Sequence, residues 1–207
     1  MTTAAARYDA LYRRGGFHHD IARERVHLVG VVVPLAGWAP GDRIVEIGAG
    51  MGHHAEILRT LGFEVTAVER SPTAVAAARQ SYPELRIICA DVARWSPPHR
   101  QRGHVYARGM SFFHYELDRV NVHGVDVPAA TARLFAWVEP GGSFVLQMGT
   151  NGSGKRPAGR IHMNRPGDYR RLFASLGTVQ ALTDWQGSSV VDGDWVRQGV
   201  LIVTRRA

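Results

Sequence analysis

The segment Ile44-Val-Glu46-Ile-Gly48-Ala49-Gly50-Met-Gly52-His53 constrains this chain more than any other. Arg43 to Ile47 reads as a short buried strand, the glycines mark a tight turn, and His54 to Leu61 has the apolar spacing of a helix. In that arrangement a ligand can approach bare backbone beside the first amides of a helix, because no Cβ stands in the way. A dinucleotide site would need a third glycine at the sixth position counted from Gly48, for close packing of the helix, and His53 stands there instead. The glycines run Gly-x-Gly-x-Gly, and Glu46 lies inside the strand end.

The same alternation continues down the chain. Phe63 to Val68, Leu85 to Cys89, Val105 to Arg108 and Ser143 to Met148 read as further strands. Between them, Ser71 with Pro72 opens a helix through Ser81, and Ala129 to Val138 forms another that stops at Pro140, Gly141 and Gly142. Thr178 to Asp184 and Trp195 to Thr204, joined through Asp192-Gly193, read as an antiparallel hairpin. The expected fold is therefore α/β: a Rossmann-like, doubly wound, mostly parallel sheet closed by a C-terminal hairpin. With 207 residues, 45% of them hydrophobic, one domain over 1–207 is expected. Two stretches lie outside the pattern: an N-terminal helical segment, 1–33, with Tyr8, Leu11 and Tyr12 on one face, and a Gly-, Pro- and Arg-rich loop, 149–166, after the fifth strand.

The glycine motif resembles the first motif of the class I S-adenosylmethionine-dependent methyltransferases, an acidic residue followed by Gly-x-Gly-x-Gly. Phe63-Glu-Val-Thr-Ala-Val-Glu69-Arg70-Ser71 ends in an acid 21 positions after Gly48, where that family places the carboxylate for both ribose hydroxyls. Ile87-Ile-Cys-Ala-Asp91-Val92 matches the third strand, whose terminal acid takes the adenine amino group, and Val138-Glu-Pro140-Gly141-Gly142 matches the turn before strand five. The resemblance implies S-adenosylmethionine as cofactor, held by Glu46, Gly48, Ala49, Gly50, Gly52, Glu69, Arg70, Asp91, Val92, Arg108 and Gly109. Arg7-Tyr8-Asp-Ala-Leu-Tyr12 is similar to the aromatic lead segment of small-molecule methyltransferases, including sugar N,N-dimethyltransferases, which implies a lid with Tyr12 on the donor.

The departures narrow the acceptor. Arg108-Gly109-Met110-Ser111 stands where base-modifying enzymes carry an Asp/Asn-Pro-Pro-aromatic tetrad, and Lys155 is the only lysine, which excludes a Lys-Asp-Lys-Glu tetrad. Cys89 is the single cysteine and lies in strand three, so it is neither a cytosine-methylating nucleophile nor half of an intrachain disulfide. A hydroxyl acceptor needs a general base and an amine needs only its lone pair. His114, in Ser111-Phe-Phe-His114-Tyr-Glu116, is the expected base, with Glu116 as an orienting or alternative group. His18, His53, Arg156 and Arg160 are the expected acceptor contacts. His18, His19 and Asp20 have metal-ligating chemistry, but neighbours on a helix diverge and a partner from elsewhere would be needed, so no metal is assigned.

Charge locates the acceptor's sign. The net charge of +7 sits at the two ends, where residues 1–30 carry five basic against three acidic groups and residues 150–207 carry nine against four. Lys155, Arg156, Arg160, Arg165, Arg170 and Arg171 face only Asp168, which suggests an anionic partner. The cluster lacks interleaved aromatics over 155–168, which argues against nucleic acid. No apolar stretch approaches the roughly 20 residues of a bilayer span, and the first ten residues hold no apolar leader core, so a cytoplasmic protein without membrane partners is expected. The expected activity is methylation of a small polar, anionic acceptor such as a sugar or specialised metabolite, at oxygen in preference to nitrogen. The alternatives are RNA or protein methylation through the basic segment 155–171, and a non-catalytic binding protein on the same fold. A homodimer is left open.

Overall fold

The computed structural model describes residues 4–16, 19–99, 103–121, 124–149, 164–192 and 199–205. Within them, seven strands form one sheet: β1 (Arg43–Ile47), β2 (Glu64–Glu69), β3 (Ile87–Cys89), β4 (His104–Arg108), β5 (Ser143–Met148), β6 (Gly177–Thr183) and β7 (Gly199–Arg205). Their order is β3-β2-β1-β4-β5-β7-β6, with β1 to β5 parallel and β7 antiparallel to both β5 and β6. The chain builds outward from β1 to β3, then crosses back to β4. That reversal opens a crevice at the carboxyl ends of β1 and β4, where open α/β sheets bind ligands.

The helices are α1 (Ala4–Arg13), α2 (Ile21–His27), α3 (Val33–Ala36), α4 (His53–Thr60), α5 (Pro72–Ser81), α6 (Val127–Phe135) and α7 (Pro166–Ala174). A π turn, Leu28–Val32, joins α2 to α3, so helical backbone runs from Ile21 to Ala36 and enters Pro34 in the first turn of α3. Inside continuous helical backbone a proline removes one intrahelical donor, and Pro34 stands just after the π turn, where the regular hydrogen-bond ladder is already interrupted. The C-terminal helix α7 lies within a stretch that the sequence left unassigned. Its signals are Pro166 in the first turn and Asp168, whose Oδ2 accepts from the Arg165 amide at 2.7 Å.

Pleat parity sorts the core. Val45, Ile47, Val105, Ala107, Phe144 and Leu146 point to one face, against Phe113, Phe135 and Phe173. Ile44, Tyr106 and Val145 point to the other, against Leu28, Val32, Trp38 and Leu58. By the same parity Glu46, Arg108 and Gln147, at the carboxyl ends of β1, β4 and β5, belong to the second face, beneath α2 and α4. That places three polar side chains at the crevice.

His104 tethers the sheet's opposite end. Its Nδ1 accepts from the Ser143 amide at 3.0 Å, and Nε2 lies 3.4 Å from Asp42. Beside it, a Cβ on Gly103 would stand 2.5 Å from the Arg43 carbonyl oxygen, a backbone atom that cannot swing away. Gly103→Ala should therefore cost about 1–3 kcal/mol as an overpacked site. Thermal denaturation should show Tm lowered by roughly 2–10 °C, and an unchanged Tm would contradict the close approach.

Candidate active site

A cavity of about 510 Å³ occupies the crevice at the carboxyl ends of β1, β2 and β4. Its floor is the glycine turn. Gly48 and Gly50 hold φ of +69° and +55°, and the Gly48 and Ala49 amides donate to the Val68 carbonyl at 2.9 and 3.1 Å. A Cβ on Gly50 would come within 2.6 Å of the Tyr12 hydroxyl, so the bare backbone leaves room for the aromatic ring above it. Tyr12 and Tyr8 reach the cavity from α1, which is fixed across the start of α5 by Asp9. The Asp9 carboxylate accepts from the Ser71 hydroxyl at 2.8 Å and the Thr73 amide at 3.1 Å.

Glu69, at the end of β2, is buried with its carboxylate on the cavity wall. One oxygen accepts from the Gly50 amide at 3.0 Å and the other from the Ser71 amide at 2.8 Å. Each carboxylate oxygen accepts two bonds, so each keeps one lone pair for a ligand while the amides fix the carboxylate plane. Two parallel acceptors of this kind match a vicinal diol. Arg70 lies over the Tyr8 ring with 4.9 Å to its centroid, and Asp91, exposed on the rim with one oxygen accepting from the Ala93 amide, stands beside Val92. Ala49, Arg108 and Gly109 also line the cavity.

Gly52 departs from expectation. It does not line the cavity; a Cβ there would meet Leu85 Cδ2 at 2.6 Å, so this glycine lets the start of α4 pack on α5 and the chain before β3.

The polar end of the second sheet face holds a buried cluster that sequence reasoning missed. Glu24, from α2, is ion-paired with Arg108, and its Oε2 lies 3.3 Å from His54 Nε2. His54 Nδ1 lies 3.7 Å from Glu46 Oε1, while the buried Oε2 of Glu46 has no hydrogen-bond partner among the described residues. Trp185 covers the far side: it stacks on His27 at 3.6 Å, and Arg108 lies 5.3 Å from its ring centroid. Burial works against the Glu24 charge, but hydrogen bonds from His19, His54 and Arg108 hold its carboxyl well below the usual range. Burial pushes Glu46 up to about 8 and His54 down to about 4.

On the acceptor side His114 ends a 3₁₀ turn, Ser111–His114, and lines the cavity. Its ring makes no hydrogen bond among the described residues, and burial pushes it down to about 4. Glu116 does not line the cavity, and the chain leaves the turn in an extended conformation at Tyr115. His53 lines the cavity, but its Nδ1 is engaged with the Tyr82 hydroxyl at 2.7 Å. His18, Arg156 and Arg160, with most of the 149–166 loop, lie outside the described residues.

Residues 44–142 match a family model described as a methyltransferase domain. The chain carries a methyltransferase domain, and its fold is that of the class I methyltransferases. Its relatives include a trans-aconitate 2-methyltransferase of Delftia acidovorans, 33% identical over 69% of this chain and 48% of that one. A protein-L-isoaspartate O-methyltransferase of Methylorubrum extorquens is 27% identical over 80% of this chain and 66% of the relative. The chain thus spans about half the length of this trans-aconitate methyltransferase and of two others that it matches. In fold it is similar to the magnesium protoporphyrin IX methyltransferase of Synechocystis, with a TM-score of 0.65 and 14% identity, covering 99% of this chain and 93% of that one. The methyl donor of the class is S-adenosylmethionine, and the residues present fit it. Glu69 keeps one free lone pair on each oxygen for the ribose hydroxyls, the glycine turn leaves open backbone for the amino-acid tail, and the buried Glu46 oxygen without a partner among the described residues is an acceptor suited to an ammonium. Among the described residues no helix is long and apolar enough to cross a membrane.

Proposed function

We propose that this methyltransferase transfers the methyl group of S-adenosylmethionine to an oxygen of a small anionic acceptor, a carboxylate. The observation that carries the donor half is the Glu69 carboxylate, which lines the cavity and is held by the Gly50 and Ser71 amides with one lone pair left on each oxygen. When bound, S-adenosylmethionine supplies a methyl already activated by its sulfonium, so the chain's work is alignment and exclusion of water. Glu69 binds the ribose hydroxyls, Asp91 and Val92 border the adenine, and Tyr12 covers the glycine turn. Glu46 faces the ammonium, whose positive charge favours the ionised carboxyl that burial alone disfavours.

The acceptor half rests on His114. A general base works best with a pKa near the working pH, and a ring pushed down to about 4 is a poor proton acceptor for an alcohol. A carboxylate needs no base: its oxygen bonds to the methyl carbon as the carbon–sulfur bond breaks, the acceptor loses one negative charge, and no proton moves. The His114 ring then positions the acceptor, and Arg156 and Arg160 supply positive charge toward it. The relatives named for trans-aconitate, a tricarboxylate, and for O-methylation of isoaspartate support this class of acceptor.

The test is transfer of labelled methyl from S-adenosylmethionine to a panel of di- and tricarboxylates, trans-aconitate included, against sugars and amines. Base-labile methyl esters from carboxylates are expected; product only from amines or sugars would overturn the acceptor class. With a carboxylate acceptor and saturating donor, kcat/KM for the acceptor should stay flat from about pH 6 to 8.5. It should fall only toward about pH 4, where the acceptor carboxylates themselves gain protons and lose their nucleophilic oxygens. His114→Asn should raise KM and keep kcat within a few-fold, whereas a 10²- to 10⁴-fold loss of kcat would make His114 the base for a hydroxyl acceptor.

A further inference from the structure

Of the three adjacent residues with metal-ligating chemistry, His18, His19 and Asp20, the structure gives Asp20 another task. Its side chain accepts from the Arg23 amide at 3.1 Å and caps α2. His19 is placed differently. Its Nδ1 lies 3.8 Å from Glu24 Oε1, and the other Glu24 oxygen lies 3.3 Å from His54 Nε2. The three donor atoms all fall within 4.8 Å of one another, from three separate parts of the chain: the α1–α2 link, α2 and α4. Metal–ligand bonds of about 2.0–2.2 Å put neighbouring donors roughly 3–3.6 Å apart, so small side-chain rotations would bring these three onto one ion.

Two further features belong to a metal centre. Behind His54, Glu46 Oε1 lies 3.7 Å from the ring nitrogen that faces away from Glu24, the carboxyl–imidazole arrangement that orients metal-bound histidines. In front, His19 and His54 both line the cavity, so an ion between them would keep open coordination positions on the solvent side. Glu24 and His54 are buried, while the His19 side chain is 29% exposed and can swing in. The guanidinium of Arg108, bonded to both Glu24 and His54, already shows that this corner is built around a cation.

We propose that His19, Glu24 and His54 form a binding site for one divalent first-row transition ion, with its remaining positions open to the cavity. Two imidazoles and one carboxylate suit Zn²⁺, Co²⁺, Ni²⁺ or Fe²⁺, whereas Mg²⁺ and Ca²⁺ prefer all-oxygen sites. Arg108 competes for the same ligands, so loading moves its head group away from Glu24. The site stands independently of which acceptor the enzyme takes.

The whole chain, stripped with a chelator, is titrated with Zn²⁺ by calorimetry and with Co²⁺ by its ligand-field absorption. One ion per chain is expected, with the absorption of a nitrogen- and oxygen-ligated Co²⁺ ion. His19→Ala should weaken binding at least about tenfold, the lower range for disturbing a metal shell. Being partly exposed, His19 can be removed without unfolding the chain, which circular dichroism would verify. Arg108→Gln should tighten binding, because the competing charge is gone. No saturable binding by the wild type, or equal binding by wild type and His19→Ala, would overturn the proposal.

Discussion

Glu69→Ala should weaken S-adenosylhomocysteine binding by roughly 10- to 150-fold, the equivalent of about 1.5–3 kcal/mol for hydrogen bonds made by a charged group. The reason is geometric. The Gly50 and Ser71 amides consume one lone pair on each carboxylate oxygen and leave one free on each, on a side chain that lines the cavity. Loss of the carboxylate removes both ribose contacts and frees the glycine turn that it ties to the start of α5. Glu69→Gln retains one acceptor and should fall between. Calorimetry on folded variants checks this, and an unchanged affinity in Glu69→Ala would remove Glu69 from the donor site.

Glu24→Ala should destabilise the fold by about 3–5 kcal/mol, because it leaves the Arg108 guanidinium in a largely buried position without its counter-ion. Replacing both partners by leucine should cost much less than the single change, since neither charge is then stranded. Chemical denaturation of the two single variants and the double variant measures this coupling, and additive losses would contradict a buried pair. The pH dependence has a definite sign. The folded Glu24 carboxyl is held below its ordinary value, so its contribution is complete above about pH 4.3. It is lost only as pH falls through the depressed folded value. The stability gap between wild type and Glu24→Gln should therefore be constant from about pH 5 to 8 and close only in strong acid.

Glu24 also shows why part of the site was hidden. It lies among Arg23, Arg25 and exposed Val26, a composition that reads as a solvated helix face. Its partners, His54 and Arg108, are remote in sequence and meet it only because α2 and α4 cover the polar end of one sheet face. Nothing local encodes that meeting. The donor half was legible for the opposite reason: Glu46, Gly48, Gly50 and Glu69 sit at strand ends, and strand ends converge in a parallel sheet whatever the side chains do. Gly52 reads as a cofactor contact from its place in the motif, whereas its missing Cβ serves the packing of the start of α4 on α5, which no local pattern encodes. The helix α7 carried a readable start at Arg165-Pro166-Gly-Asp168, which its arginines disguised as part of the basic loop.

A crystal structure of the enzyme with S-adenosylhomocysteine tests the central assignment most directly. The two Glu69 oxygens should lie about 2.5–3.0 Å from the ribose 2′- and 3′-hydroxyls, the usual range for O–H···O bonds. The adenine should lie beside Asp91 and Val92, and the homocysteine tail along Gly48 toward Glu46. A ligand whose ribose lies away from Glu69, or no occupancy of this cavity at saturating ligand, would contradict it.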